Sequence, residues 1–174
     1  MIGFPLGLVS SNAGEWLMHK YVLHGLGTKK NSFWSFHWHE HHSQSRRNGF
    51  RDTDYERPAL GWHAQGKETY ALLGLSLSML PLWPLAPYFC AAVWLSSYGY
   101  YRVHKKAHLD PAWAKKHVPW HYDHHMGPNQ HMNWCVTFPL FDHLMGTRER
   151  YTGTEREARD VDRAKKRRAR SQAL

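Results

Sequence analysis

The longest apolar stretch of the chain runs from residue 69 to residue 101 and contains no charged side chain. An uncharged run of this length is typical of membrane helices rather than of a buried core helix. Its middle carries Pro81, Pro84 and Pro87, and proline interrupts a helix because it lacks a backbone N–H group. The pattern therefore predicts two helices that form a hairpin with a tight apolar tip. Two complete spans need about 20 residues each, so either the helices continue beyond this stretch or the hairpin enters a bilayer only partway.

A second, weaker apolar segment covers residues 2–18, where Pro5, three glycines and Glu15 interrupt it. It lacks the basic start and the cleavage site of a secretory signal peptide, and we interpret it as a first membrane helix. The polar, basic regions 25–68 and 102–174 are expected in the cytoplasm, since positive charge favours that side. The predicted fold class is all-α: an integral membrane protein with a transmembrane helical hairpin and a cytoplasmic helical cap. The expected location is a bacterial inner membrane, with the C-terminus in the cytoplasm.

Histidine dominates the chemistry that the composition offers. The chain has 15 histidines against 14 aspartates and glutamates, so imidazole is its most abundant metal-binding group. Cys90 and Cys135 form no C-x-x-C pair, which argues against a disulfide framework, a zinc ribbon and thioredoxin-type chemistry. The abundance of histidine therefore needs another chemical explanation.

Positive charge is concentrated near the C-terminus. The formal net charge is +9, and residues 163–170 (RAKKRRAR) contribute six basic side chains. A run of like charge resists compaction, so residues 155–174 are predicted to form a basic, flexible tail. A tether to anionic lipid headgroups is the alternative. No nucleic-acid-reading module accompanies the tail, and nucleic acid is not an expected partner.

Most of the histidines fall into four clusters, at residues 19–24, 37–42, 104–108 and 121–125. Residues three or four apart share one face of an α-helix, so two imidazoles of a cluster can bind one ion. Adjacent histidines diverge by about 100°, so a doublet can serve two metals, or one metal from an unusual angle. The pair in the first cluster is five residues apart, or about 140° on an ideal helix. That spacing requires a distorted helix or two metals.

Ten of these imidazoles are candidate metal ligands, which exceeds the coordination shell of one metal. They are His19, His24, His37, His41, His42, His104, His108, His121, His124 and His125. Imidazole suits iron, zinc, copper and nickel alike, so the ligand type does not name the metal.

The clusters resemble the histidine boxes of the fatty acid hydroxylase and sterol desaturase superfamily of membrane di-metal oxidoreductases. The likeness covers about residues 15–147, with the boxes in the family's order on both sides of the hairpin. It closes with Asn133-Trp134 and with residues 141–147 (FDHLMGT), which are similar to the family's aromatic-Asp-x-x-x-Gly-Thr signature. Five histidines lie outside the boxes and are interpreted as supporting, structural or surface residues: His39, His63, His117, His131 and His143.

The resemblance implies a membrane catalytic domain over residues 1–154 that holds two iron ions and uses O2 to hydroxylate or desaturate a lipid-like substrate. Hydroxylation is the preferred outcome, and zinc can displace iron during expression. Fatty acyl chains, sterols and isoprenoids all fit, since carotenoid hydroxylases carry a related pattern. A separate electron-donor protein is expected, because the sequence has no haem, ferredoxin or flavin motif. Membrane lipids are further expected partners, and the small number of membrane segments fits a minimal member or an oligomer.

Four carboxylates near the boxes are candidates for orienting the imidazoles through their second nitrogen. They are Glu15, Glu40, Asp123 and Asp142, with plain surface charge as the alternative interpretation.

Two other functions stay open. A non-redox membrane zinc protein, either a hydrolase or a metal-handling protein, would need a water-activating carboxylate as in H-E-x-x-H. Residues 39–42 (HEHH) contain those letters without that spacing. A purely structural membrane anchor explains the hairpin and the tail but gives the histidines no role.

Overall fold

The computed structural model describes residues 2–172, and these residues form helices and loops without a β-strand. The α-helices are α1 (Gly3–Leu17), α2 (Ser43–Arg47), α3 (Ala64–Ser78), α4 (Pro87–Leu109), α5 (Pro111–His117), α6 (Pro119–Met126), α7 (Leu140–Leu144) and α8 (Glu155–Gln172). Two π-helices span Met18–Leu23 and Phe36–His42. Short 3-10 turns span Leu26–Thr28, Thr53–Glu56 and Leu80–Leu82. This part of the chain is all helical, as predicted.

Helices α3 and α4 form a hairpin over the uncharged stretch. The turn between them contains Leu80–Leu82, and Trp83 stacks on Trp94 of α4 with the ring centroids 4.9 Å apart. The Trp94 Nε1–H group donates to the Ser76 carbonyl oxygen at 2.9 Å, which ties the two arms together near the turn. Both α1 and α3 pack against α4, which is therefore the central helix.

The prediction of membrane spans is wrong: within residues 2–172, no helix is both long enough and apolar enough to cross a bilayer. Helices α1 and α3 have 15 residues each, against the about 20 that a span needs. Helix α4 has 23 residues, but charged side chains such as Arg102 and Lys105 occupy its second half. The turn between α3 and α4 uses residues of the uncharged stretch that would otherwise lengthen the two helices. The transmembrane hairpin, the first membrane helix, the cytoplasmic placement of the cap and the inner-membrane location are corrected accordingly.

Helices α1 and α4 pack against each other and approach closely at Gly7 of α1. A Cβ atom at this position would lie 2.7 Å from Ala92 Cβ and 2.8 Å from the Phe89 carbonyl oxygen. We therefore expect Gly7→Ala to lower the free energy of unfolding by about 1–3 kcal/mol, because over-packing forces the helices apart. The control is Gly74→Ala in α3, where a Cβ would meet no atom within 4 Å and alanine favours the helix. Denaturant unfolding measures both, and a Gly7→Ala variant as stable as the wild type would contradict the packing.

A helical cap surrounds the C-terminal half of α4. It consists of the two π-helices, α2, α5 and α6, with an apolar core formed by Phe50, Ala107, Ala114, Val118, Tyr122 and Tyr151. The segment before α7 returns to α1, where Trp16 packs against Trp134 and Cys135. The Asn12 Nδ2–H group donates to the Phe138 carbonyl oxygen at 2.7 Å and holds this segment in place. Histidines from distant parts of the sequence are thereby brought around the end of α4.

Most of the predicted basic tail forms helix α8. Glu157 of α8 pairs with Lys115 of α5 at 2.6 Å, and the Tyr151 hydroxyl donates to Asp160 at 3.3 Å. These contacts connect the first turns of α8 to the cap. Residues 173–174 of the predicted tail lie outside the described residues, and its boundary at residue 154 stays a prediction.

Candidate metal centre

Nine of the ten predicted ligands come together in two groups of buried histidines. Within each group, one ring nitrogen per residue lies within 4.8 Å of the corresponding nitrogens of the others. The first group consists of His19, His24, His37, His42 and His124, and the second consists of His41, His104, His108 and His125. The groups are adjacent, since the ring centroids of His42 and His125 are 4.2 Å apart.

The two π-helices supply four ligands of the first group as pairs that are five residues apart. His19 lies in the first π-helix and His24 directly follows it, and the second π-helix carries His37 and His42. The His24 N–H group donates to the His19 carbonyl oxygen at 2.9 Å, which is the i to i+5 hydrogen bond of a π-helix. This wider turn aligns side chains that an α-helix would separate by about 140°. It is the helix distortion that the spacing of the first cluster requires.

The second group is built mainly on ordinary α-helical spacing. His104 and His108 are four residues apart on α4 and share one face. The doublets divide between the groups: His41 and His125 belong to the second group, whereas their chain neighbours belong to the first. Divergence of adjacent side chains by about 100° on a helix therefore directs each doublet toward both groups.

Backbone carbonyls orient two ligands of the first group. His19 Nδ1–H donates to the Trp134 carbonyl oxygen at 2.5 Å, and His124 Nδ1–H donates to the Met132 carbonyl oxygen at 2.7 Å. Asn133, between these two carbonyls, has a φ of 60°, a left-handed conformation that asparagine tolerates better than most residues. A hydrogen bond from Nδ1 leaves Nε2 with its lone pair free to bind a metal. The turn at Asn133 therefore aims two imidazoles into the centre.

Two carboxylates and one carbonyl orient the second group in the same way. His41 Nδ1–H donates to Asp52 Oδ2 at 2.7 Å, and His104 Nδ1–H donates to Glu68 Oε2 at 2.6 Å. His108 Nδ1–H donates to the Phe50 carbonyl oxygen at 2.9 Å. Phe50 has a φ of 84°, which is costly for a bulky residue and is retained where the surrounding structure enforces it.

Burial favours the neutral form of most imidazoles of the centre. Removal from water is the main cause that lowers the pKa of His19 to about 4. Burial, with the proximity of other imidazoles, also brings the pKa far below the ordinary value in His24, His37, His42, His104, His124 and His125. Neutral imidazole is the form that binds a metal ion.

Several buried ring nitrogens of these histidines lack a hydrogen-bond partner among residues 2–172: His41 Nε2, His104 Nε2 and both ring nitrogens of His125. A buried polar atom left without a partner costs about 1–3 kcal/mol. In the first group, the Nε2 atoms of His19 and His37 lie 3.0 Å apart, as do those of His24 and His42. Two imidazole nitrogens at about 2.1 Å from one ion and at right angles to each other would have nearly this separation. The donors and their spacing therefore fit metal ions.

The remaining histidines lie outside the two groups. His121 Nε2 is 3.0 Å from His108 Nε2, so the tenth predicted ligand lies beside the second group. His63 accepts a hydrogen bond from the Gly66 N–H group at the start of α3. The exposed rings are those of His39, His117, His131 and His143, and His131 stacks on Trp38.

The four carboxylates predicted to orient the ligands bond elsewhere within the described chain. Glu15 accepts from Val136 and Thr137, Glu40 pairs with Lys67, and Asp123 accepts from Thr152. Asp142 acts indirectly, since it accepts from the backbone N–H groups of Trp134 and Cys135.

Asp52 and Glu68, which do contact the ligands, were missed by the sequence analysis. Asp52 lies eleven residues beyond His41, and Glu68 reaches His104 across the hairpin. In both pairs the two partners lie in different elements of the fold, so no spacing within one helix indicates the contact. The only local signal was the position of Glu68 immediately before the uncharged stretch.

Asp52 offers a test of the second group. We expect Asp52→Asn to weaken metal binding there by about 10–100-fold, because the carboxylate fixes the His41 ring and raises its basicity. The matched control is Glu40→Gln, which changes the carboxylate next to His41 in the chain but is half exposed and pairs with Lys67. Titration with a competing chelator measures both affinities. Equal affinity in the two variants would contradict the role of Asp52.

An apolar cavity of about 350 Å³ adjoins the centre. It lies between α1, α3 and α4, and His19, His37 and Glu68 are part of its wall. Apolar side chains such as Leu23, Phe36, Leu72 and Phe89 form much of the remainder. An apolar cavity of this kind is suited to an apolar molecule.

The molecule thus has two groups of buried histidines that can hold metal ions, beside a cavity suited to an apolar ligand. The supporting hydrogen bonds fix the orientation of the rings before any ligand arrives. Comparison with known proteins found no match: no family model, no curated protein and no solved structure matches the chain. A function can therefore be inferred only from the residues described above.

Proposed function

We propose that the protein is a non-haem di-iron oxidoreductase that oxidises an apolar, lipid-like substrate with O2. The observation that carries this proposal is the contact between the centre and the cavity. His19 and His37 belong to the first histidine group and also line the cavity. A molecule in the cavity therefore lies next to metal ligands, as an oxidation site requires.

The choice of iron rests on the order and spacing of the histidine clusters, which resemble those of the fatty acid hydroxylase and sterol desaturase superfamily. Iron held by these imidazoles would supply the activation of O2 that attack on an unactivated C–H bond requires. Hydroxylation is the outcome we favour over desaturation. Electrons for each turnover are assigned to a separate donor protein.

The chain's own residues contribute orientation and exclusion of water. Asp52, Glu68 and the carbonyl groups of Phe50, Met132 and Trp134 fix the rings. The apolar walls hold the substrate and keep bulk water from the reacting carbon. His19, His37 and most of the other imidazoles stay neutral because burial lowers their pKa values, so protons do not compete with the metal at these rings near neutral pH.

The test compares iron-loaded and zinc-loaded protein under a chemical reductant and O2, with a set of apolar compounds that includes alkanes, alcohols, sterols and isoprenoids. Mass spectrometry detects products that gain one oxygen atom or lose two hydrogen atoms. Product from the iron form alone is expected. Absence of product and of substrate-dependent O2 uptake from a fully iron-loaded, folded protein would overturn the proposal.

A zinc hydrolase is the second candidate, because Glu68 places a carboxylate in the cavity wall beside a histidine group. A carboxylate next to bound zinc can activate water. The same two preparations discriminate the candidates when they are supplied with apolar esters. Ester cleavage by the zinc form, without oxidation by the iron form, would favour the hydrolase.

A further inference from the structure

The face of α1 that packs against α4 touches that helix at one glycine and stands clear of it at another. Gly7 and Gly14 are seven residues, or about two helical turns, apart and therefore lie on the same face of α1. At Gly7, a Cβ atom would lie 2.7 Å from Ala92 Cβ of α4. At Gly14, a Cβ atom would meet no atom of the described residues within 4 Å outside its own turn of helix. The two helices therefore diverge toward the histidines, and the cavity occupies the space between them.

The cavity is long and runs parallel to α4. Its wall includes Phe89 and Tyr100 of α4, which are eleven residues apart. Glu68 and Met79, at the two ends of the part of α3 that lines it, have the same separation. A helix rises about 1.5 Å per residue, so the wall extends over about 16 Å. Glu68 marks the end beside the metal centre, since it bonds to His104, and Met79 marks the opposite end.

The surface that the cavity offers to a ligand is apolar along its whole length. Ser11 Oγ and Glu68 Oε1 belong to wall residues but are buried away from the open space. The Glu15 carboxylate is occupied by the backbone N–H groups of Val136 and Thr137. A ligand is therefore held by apolar contact rather than by one polar group, and its affinity depends on how much of its length fits.

Gly14 lies about halfway along this wall. It precedes His19 by five residues, which is about 7–8 Å along the helix axis. A glycine inside a helix destabilises it relative to alanine. The close approach that requires a glycine at Gly7 does not exist at Gly14. What the missing side chain at position 14 provides is continuous space between the two halves of the cavity.

We propose that Gly14 is a specificity-determining residue, whose missing side chain admits one extended alkyl chain that lies along α4 with one end beside His19 and His37. The inference rests on the proposed function in one respect, that the cavity is the substrate site. An extended alkyl chain advances by about 1.3 Å per carbon atom, given C–C bonds of about 1.5 Å. A cavity of about 16 Å therefore takes about twelve carbon atoms. A side chain at position 14 would leave room for only about six on the metal side.

Two substitutions at Gly14 separate binding from folding. Gly14→Ala is expected to raise the melting temperature by about 2–4 °C, because alanine favours the helix and its Cβ meets no neighbour. Gly14→Leu is expected to melt no lower than the wild type, while its side chain fills the middle of the cavity. The matched control is Gly74→Leu in α3, where a Cβ also has open space but is not part of the cavity wall. Metal content is measured in each variant and is expected to equal that of the wild type.

Binding is measured without turnover, on zinc-loaded protein, by displacement of a fluorescent apolar probe with primary alcohols from hexanol to hexadecanol. The end group is common to the series, so chain length is the only variable. In the wild type and in Gly74→Leu, affinity is expected to rise roughly threefold per carbon atom up to about twelve and then to level off. In Gly14→Leu, the rise is expected to stop at about six to eight carbon atoms. Dodecanol then binds to this variant roughly 30-fold more weakly than to the wild type, whereas hexanol stays within about threefold.

The same dependence on chain length in Gly14→Leu and in the wild type would overturn the proposal. Equal weakening of every alcohol, hexanol included, would also overturn it, because the leucine would then act on the whole site rather than on the passage. Oxidation assays separate the two proposals. A length limit that moves in Gly14→Leu, without oxidation by the iron form, would reject the proposed function only. Oxidation with the same length preference in Gly14→Leu and in the wild type would reject this inference only.

Discussion

Removal of bound metal is expected to lower the melting temperature of the protein by on the order of 10 °C. Without metal, His41 Nε2, His104 Nε2 and the ring nitrogen of His125 that an ion would bind are buried without partners among the described residues, at about 1–3 kcal/mol each. This cost is comparable to the about 5–15 kcal/mol that stabilises a typical domain. Calorimetry before and after chelation measures the change, and returning zinc serves as the control. A metal-free protein with an unchanged melting temperature would contradict the centre.

The metal-free protein is also expected to lose stability as the pH falls. The pKa of His19 is lowered from 6.5 to about 4 by burial, and those of most other histidines of the centre are lowered further. Below pH 6.5 the unfolded chain binds protons that the folded chain does not, so the free energy of unfolding decreases. The contribution of these histidines to stability is therefore present above pH 6.5 and declines progressively as the pH falls through 4. A flat stability profile over this range would show that the rings are accessible to water.

Three neighbouring histidines are expected to give three different metal contents. His41→Ala removes one of four ligands from the second group, so the ion there is expected to bind more weakly and to be lost in part during purification, which leaves between one and two ions per chain. His42→Ala removes one of five from the first group, and the remaining four suffice for a tetrahedral ion, so nearly two ions are retained with weaker binding. His39→Ala changes an exposed ring and should retain both. Elemental analysis of the three purified variants measures the contents.

The double variant His124→Ala/His125→Ala removes one ligand from each group and should lose more metal than any of the single variants. Equal losses in His41→Ala and His42→Ala would show that the doublet does not divide between two ions. Loss of metal in His39→Ala would show that the second π-helix directs His39 toward the metal ions rather than toward solvent. Far-ultraviolet circular dichroism of each variant confirms that the helices are retained.

The sequence was sufficient to predict helices and the clustering of histidines, because both depend on local spacing. The prediction of membrane spans from the sequence was wrong for a physical reason. The uncharged stretch is long enough to suggest a bilayer, but its charge pattern does not reveal that the Leu80–Leu82 turn shortens α3 to 15 residues. Nor does it reveal that α4 continues into the cap, where Arg102 and Lys105 lie. Helix boundaries, rather than composition, decided the outcome.

The supporting contacts could not be predicted, because they join segments whose relative positions depend on the tertiary fold. Glu68 meets His104 only because the hairpin sets the register of α3 and α4. Asp52 meets His41 through a loop of irregular backbone. The doublets of histidine allowed either two metals or one metal bound from an unusual angle, and the assignment of each ring to a group required the direction of every helix.

The geometry of the metal centre depends on the number of residues between the paired histidines at the two π-helices. Each behaves as an ordinary helical turn enlarged by one residue, between the histidines of a pair. A protein of the same architecture that lacked the additional residue in both places would keep its flanking helices in register and present the same imidazoles at H-x3-H spacing. Single-residue insertions and deletions at these two positions are thus a route by which one scaffold can widen or narrow the metal pocket. Related chains are therefore better compared by the direction of their histidines than by the letters between them.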